Sequence, residues 1–160
     1  MVADAQFGWS GTIGEVTLGA TKAEGGTRRV SCRIGGGTTL PFLEKELSSP
    51  SPLIAFEVCD FPSFWSPIIR NYCGDLVNNL AEWTKTADTT YGADLIRLHL
   101  NSTRQRNFTD IAAVGKTVET VLSASSLPLI IEGSNEPKID SEVFQKCGET
   151  GQGERLLLGT

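Results

Sequence analysis

The chain has 160 residues, of which 39% are hydrophobic and 8% aromatic, enough apolar mass for one globular core. Its formal net charge of −5 speaks against a nucleic-acid-binding surface. No apolar run approaches the roughly 18–20 residues of a membrane span, and the first residues lack the basic start and apolar centre of a secretory signal, so a cytoplasmic location is expected.

The first recognisable elements form a hairpin. Val16 and Leu18 alternate with Glu15 and Thr17, and Val30, Cys32 and Ile34 alternate with Arg29, Ser31 and Arg33. This period of two predicts two antiparallel strands joined by the glycine-bearing loop around Gly25 and Gly26, with a tight turn at Gly35 to Gly37. Neither glycine cluster follows a strand and opens a helix, so neither reads as a phosphate loop. Arg28, Arg29 and Arg33 read as a solvated face or as local ion pairs. A linker, Leu43 to Pro52, punctuated by Pro50 and Pro52, separates this flap from the remainder.

Beyond the linker, short apolar runs recur: Leu53 to Cys59, Ala93 to Leu100, Leu127 to Glu132 and Arg155 to Leu158. Such runs fit buried strands of a parallel sheet. Helical patterns lie between them. Phe64, Ile68, Ile69 and Tyr72 mark a short first helix, and Leu80, Trp83, Ala87 and Tyr91 a second. Ile111, Val114, Val118, Val121 and Leu122 mark a third. A fourth is expected over Asp140 to Cys147, with Val143 and Phe144 inward and Gly148 closing it. Asn107 or Thr109, and Asp140, are the expected N-caps. Cys32, Cys59, Cys73 and Cys147 lack the close spacing of a zinc or iron–sulfur motif, and Cys59 and Cys147 read as small core hydrophobes. The sequons at Asn101 and Asn107 read as chance in a chain with no other mark of secretion.

The element order is therefore a hairpin followed by βαβαβαβ, which allows a barrel or a doubly wound open sheet. Polarity favours the barrel. Glu57, Arg97, His99 and Glu132 share one strand face, where carboxylates and a guanidinium can pair across a lumen, whereas an open sheet would bury all four under apolar helices. A full (β/α)₈ TIM barrel takes about 250 residues. The expectation is thus an α/β chain with an N-terminal hairpin flap and linker over residues 1–50, and over residues 51–160 the first half of such a barrel.

Barrel sites form at the C-terminal ends of the strands, here Asp60, Asn101, Ser102, Ser134, Asn135 and Thr160. These are hydrogen-bonding groups without a nucleophile–base pair. His99 reads as a packing residue of the lumen, and Glu57 and Glu132 as ion-pair partners and not as acid–base carboxylates.

The string Leu18-Gly-Ala-Thr-Lys-Ala-Glu-Gly-Gly-Thr-Arg28, with Gly-Gly-Gly-Thr-Thr-Leu-Pro-Phe42, resembles the opening of the small subunit of the corrinoid iron–sulfur protein, the delta subunit of acetyl-CoA decarbonylase/synthase. Glu57-Val-Cys-Asp60, Glu82-Trp83, Tyr91-Gly-Ala-Asp-Leu-Ile96, Gly-Ser-Asn135 and Gly153-Glu-Arg-Leu-Leu-Leu-Gly159 continue it in order, so the likeness runs from about Val16 to Thr160. The resemblance implies a non-catalytic TIM-barrel subunit whose rim faces cobalamin (a corrinoid) at the interface with a large subunit bearing the corrinoid domain and the iron–sulfur cluster. It implies no cluster in this chain. A methyl group would pass from a methyltetrahydropterin, by way of its methyltransferase, to cobalt and on to acetyl-CoA synthase. Under this resemblance Asp60, Asn101, Ser102, Ser134, Asn135 and Thr160 are the expected corrin-facing residues. The flap is expected at the opposite, N-terminal end of the strands. A second reading is a pterin-binding methyltransferase barrel, because Gly133-Ser-Asn135 resembles the pterin-contacting turn of those enzymes, and a third is a free-standing half-barrel binding module.

Overall fold

The computed structural model describes residues 11–37, 52–105 and 108–159, with the Phe64 side chain excepted. The Leu43–Pro52 linker up to Ser51, the candidate cap Asn107 and the rim residue Thr160 lie outside the described residues. Two antiparallel strands, β1 (Glu15–Leu18) and β2 (Cys32–Gly35), pair with Leu18 opposite Cys32 and Val16 opposite Ile34. Four parallel strands follow: β3 (Ala55–Cys59), β4 (Leu95–His99), β5 (Leu129–Glu132) and β6 (Leu157–Gly159). Their spatial order is their chain order, β3-β4-β5-β6. Four helices accompany them: α1 (Pro67–Cys73) and α2 (Leu80–Thr89) between β3 and β4, α3 (Ile111–Ala124) before β5, and α4 (Pro137–Thr150) before β6.

One apolar cluster joins the sheet to its helices. Val58, Ile96, Leu98, Leu100 and Ile131 from the sheet meet Trp83 and Ala87 of α2, Val114, Val118 and Val121 of α3, and Val143 and Cys147 of α4. Successive strand side chains point to opposite faces, so this packing commits Glu57, Arg97, His99 and Glu132 to the other face. The helices α2, α3 and α4 thus lie on one side of a sheet that does not reverse its strand order. A doubly wound sheet reverses order and carries helices on both faces; this one does neither among the described residues.

Helix ends differ from the sequence reading in instructive ways. Asp110, rather than Asn107 or Thr109, caps α3, its carboxylate accepting the Ala113 N–H at 3.0 Å. The fourth helix starts three residues before Asp140 and ends at Gly151, not Gly148, because Pro137 supplies a favoured first helical residue. Asp140 therefore sits inside its first turn and is not the cap. In α1 the apolar residues face outward: Ile68 is 81% and Tyr72 90% exposed. Tyr91 lies beyond the end of α2 and stacks on Phe56 with ring centroids 5.1 Å apart.

The hairpin is anchored at its β1–β2 loop, against the N-terminal ends of the parallel strands. The Gly19 N–H donates to the Arg155 carbonyl at 3.0 Å, and the Arg29 N–H to the Ser126 carbonyl at 2.9 Å. Gly25, at φ 91°, closes a short 3₁₀ turn (Lys22–Glu24) in a left-handed conformation that glycine adopts freely. Hydrogen bonds from the Thr21 N–H and hydroxyl, joined by Arg155, hold the Glu24 carboxyl down to about 2. Leu18 and Ala20 are buried, while Val16, Val30 and Ile34 stay open to solvent. The alternation in sequence is real, but only the loop end of its apolar face reaches the body of the protein.

Arg28 overturns the expectation of a solvated arginine. It is 5% exposed, and its Nε meets Glu154 at 2.8 Å. Its Nη1 donates to the Ser125 carbonyl at 2.6 Å and its Nη2 to the Leu122 carbonyl at 2.9 Å. Arg29 pairs with Asp88 at 2.5 Å, and only Arg33, paired with Glu15 of its own hairpin at 2.8 Å, matches the surface pair expected.

Candidate functional site

The polar face of the sheet is built by parallel register. Glu57 lies opposite Arg97, and His99 opposite Glu132. Arg97 reaches both neighbouring strands, its Nη1 donating to Glu57 Oε2 and its Nη2 to Glu132 Oε2. The remaining carboxylate oxygens flank His99: Glu57 Oε1 is 3.7 Å from Nδ1 and Glu132 Oε1 is 3.6 Å from Nε2. Arg104, from the 3₁₀ turn after β4, comes within 3.7 Å of Glu132. Two carboxylates and two guanidiniums thus balance around a histidine. Burial, with help from Arg104, holds the His99 imidazole below its ordinary range, against the opposing pull of Glu57. Glu57, Arg97, His99 and Glu132 do come together as the sequence indicates. Arg104 is the member that periodicity misses, because a 3₁₀ turn and not the strand carries it back.

Above this face the strand ends form a rim, and the expected residues divide into separate groups. Asp60 and Ser102 meet across β3 and β4: Asp60 Oδ1 accepts the Ser102 N–H at 3.0 Å and Oδ2 accepts its hydroxyl. Asn101 is drawn inward. It is 1% exposed, it lies beside Cys59, and its Oδ1 finds no partner among the described residues. Burial pushes the Cys59 thiol up to about 11, and that of Cys147 to about 12, so both are protonated at neutral pH.

At the end of β5 the turn is organised by a residue the sequence reading assigned elsewhere. Asp140 Oδ1 accepts the Ser134 N–H at 2.7 Å and the Ser134 hydroxyl at 2.8 Å, while Ser134 Oγ accepts the Glu136 N–H at 3.0 Å. Glycine at 133 leaves room for this contact, since a Cβ would lie 2.5 Å from Asp140 Oδ1 and the carboxylate would have to shift. Asn135 is exposed and holds φ at 67°, a left-handed conformation rare outside glycine. Short-range turn signals offer no way to foresee this, because the carboxylate reaches back from the helix that follows. Asp60 with Ser102, and Ser134 with Asn135, therefore present hydroxyl, carboxylate and amide groups at neighbouring strand ends. Such groups are chemically able to hydrogen-bond a polar ligand.

The sequence pattern of the CO dehydrogenase/acetyl-CoA synthase delta subunit matches residues 15–160, beginning at the first residue of β1. The chain belongs to this delta-subunit family. Its similarity to acetyl-CoA decarbonylase/synthase complex subunit delta of Archaeoglobus fulgidus is 38% identity over 154 residues, 95% of this chain and 34% of that relative. The corresponding subunit of Methanopyrus kandleri is 34% identical over 152 residues, 94% of this chain and 38% of the relative. Subunit delta 1 of Methanosarcina thermophila is 33% identical over 156 residues, 95% and 35% of the two chains. This delta-family chain thus spans little more than a third of the length of these curated relatives. Among its described residues, no helix is long and apolar enough to cross a membrane.

Proposed function

We propose that this chain forms the flap and first half of a TIM-barrel delta subunit, residues 1–50 and 51–160 respectively, whose rim encloses a corrinoid held by a larger iron–sulfur subunit. The observation that carries this reading is family membership over residues 15–160 together with a singly wound sheet, helices on one side and paired charges on the other. A barrel lumen suits that charged face, because Arg97 can neutralise carboxylates from both neighbouring strands.

The rim fits the polar edge of a corrin through its donor chemistry. Asn135 offers an exposed amide, and Ser102, Ser134 and Asp60 offer half-buried hydroxyl and carboxylate groups; Asn101 is enclosed and would support them from beneath. A bound corrinoid would supply the cobalt chemistry of methyl carriage. The residues of this chain orient the macrocycle and exclude water from it, while methyltetrahydropterin methyltransferase and acetyl-CoA synthase are the partners that reach the opening. The setting is the cytoplasm.

Titration of the full-length subunit with methyltetrahydropterin tests this. The expected result is no tight binding without the corrinoid-bearing partner, and saturable complex formation when that partner is present. Tight pterin binding by the subunit alone would replace the shielding reading with that of a pterin-binding methyltransferase.

A further inference from the structure

We propose that Asp140 is the positioning residue of the rim, acting through Ser134 to fix the presentation of Asn135; this rests on the rim being the corrinoid-facing surface. Asn135 adopts φ 67°, a left-handed conformation that asparagine enters more readily than most side-chain residues. Here both neighbours of Asn135 are tied down. The preceding residue gives its N–H and its hydroxyl to Asp140 Oδ1, and the following residue, Glu136, gives its N–H to Ser134 Oγ. One carboxylate oxygen therefore governs the turn on either side of the exposed amide.

Asp140 is itself rigidly mounted. It stands in the first turn of the fourteen-residue helix α4, its own N–H donating to the Glu136 carbonyl at 2.9 Å, and it is 3% exposed. The helix N-terminus favours a negative charge at that place. Its second oxygen, Oδ2, has no partner among the described residues. An uncompensated buried oxygen is costly, and closing a β–α turn does not require it, since an exposed serine or asparagine cap would suffice. The side chain of residue 133 is reduced to hydrogen so that this carboxylate can approach. What the arrangement secures is the angle at which Asn135 leaves the rim.

A double-mutant cycle on the full-length subunit, titrated calorimetrically into its corrinoid-bearing partner loaded with methylcobalamin, tests the assignment, with the visible absorption band of the corrinoid as a second readout. Loss of one hydrogen bond predicts that Asn135→Ala weakens association by about 2- to 12-fold. Asp140→Ala is expected to weaken it to a similar degree and to alter the corrinoid band in the same way. The double variant is expected to be no weaker than Asn135→Ala, and Asp140→Asn, which keeps the Oδ1 acceptor, to recover most of the affinity. Multiplying losses in the double variant, or an unchanged affinity in Asp140→Ala beside a weakened Asn135→Ala, would overturn the proposal. An unchanged affinity in Asn135→Ala would instead overturn the corrinoid-facing reading of the rim on which it rests. Should Asp140→Ala fail to fold, the cycle of Ser134→Ala with Asn135→Ala decides by the same criterion.

Discussion

Replacing Arg28 by alanine removes, in one step, the donor that joins the flap to two other connections of the fold. The side chain pairs with Glu154, just before β6, and donates to the carbonyls of Leu122, Ser125 and Leu127 between α3 and β5. Leu122 lies in the last turn of α3, where carbonyls have no partner within the helix, so the guanidinium also caps that end. Removing one member of a buried ion pair costs about 3–5 kcal/mol. Glu154 keeps the Thr27 N–H at 3.2 Å and the Thr27 hydroxyl at 2.8 Å, which places the expected loss toward the lower end, about 3 kcal/mol. Urea unfolding of the full-length subunit gives the comparison, with the midpoint shifting at constant slope. Arg28→Lys retains charge without the planar fork and is expected to recover only part of the loss. Under the proposed function, because these contacts lie at the N-terminal ends of the strands, stability or partner association should fall before methyl transfer does. A loss below about 1 kcal/mol, the range of an exposed pair, or strict additivity of Arg28→Ala with Glu154→Ala, would refute the reasoning.

The other expectations concern the charged face and the rim. Because the folded His99 sits below its unfolded reference of 6.5, its contribution is complete above that value and is lost as pH falls through it toward the folded pKa. His99→Gln should therefore flatten the fall in stability between neutral and mildly acid pH, read from urea midpoints at several pH values; an unchanged slope would contradict the assignment. Arg97→Ala leaves Glu57 and Glu132 without their shared counter-ion, and since Arg97 is about one-third exposed the expected cost is only about 1–2 kcal/mol. Gly133→Ala drives a methyl group against Asp140 and is expected to cost about 1–3 kcal/mol, with thermal unfolding as the measure.

Much of the architecture is local and therefore visible in the residues alone. Alternation over Val16 to Leu18 and Val30 to Ile34, the apolar runs that become β3 to β6, and the spacing of Ile111, Val114, Val118 and Val121 each express a period that the backbone imposes within a few residues. Even the pairing of Glu57, Arg97 and Glu132 follows from period two once the strands lie parallel, since residues in register share a face. The ordered likeness from Val16 onward pointed to the delta-subunit family, and the match over residues 15–160 supports it.

What only the tertiary structure decided is which polar group pairs with which across distant segments. Arg28 reads as one of three surface arginines until Glu154, 126 positions away, and Ser125, 97 positions away, close around it. Asp140 reads as a helix cap until α4 begins earlier, at Pro137, and turns its carboxylate back onto Ser134. Asn101, placed on the rim by strand counting, is enclosed beside Cys59 because the chain bends into a 3₁₀ turn as β4 ends. Period and composition act over a few residues, whereas the burial of a charge depends on segments brought together by the hydrophobic packing of the whole sheet. The elements were thus encoded locally, and the environments of Arg28, Asn101 and Asp140 arose only when those elements met.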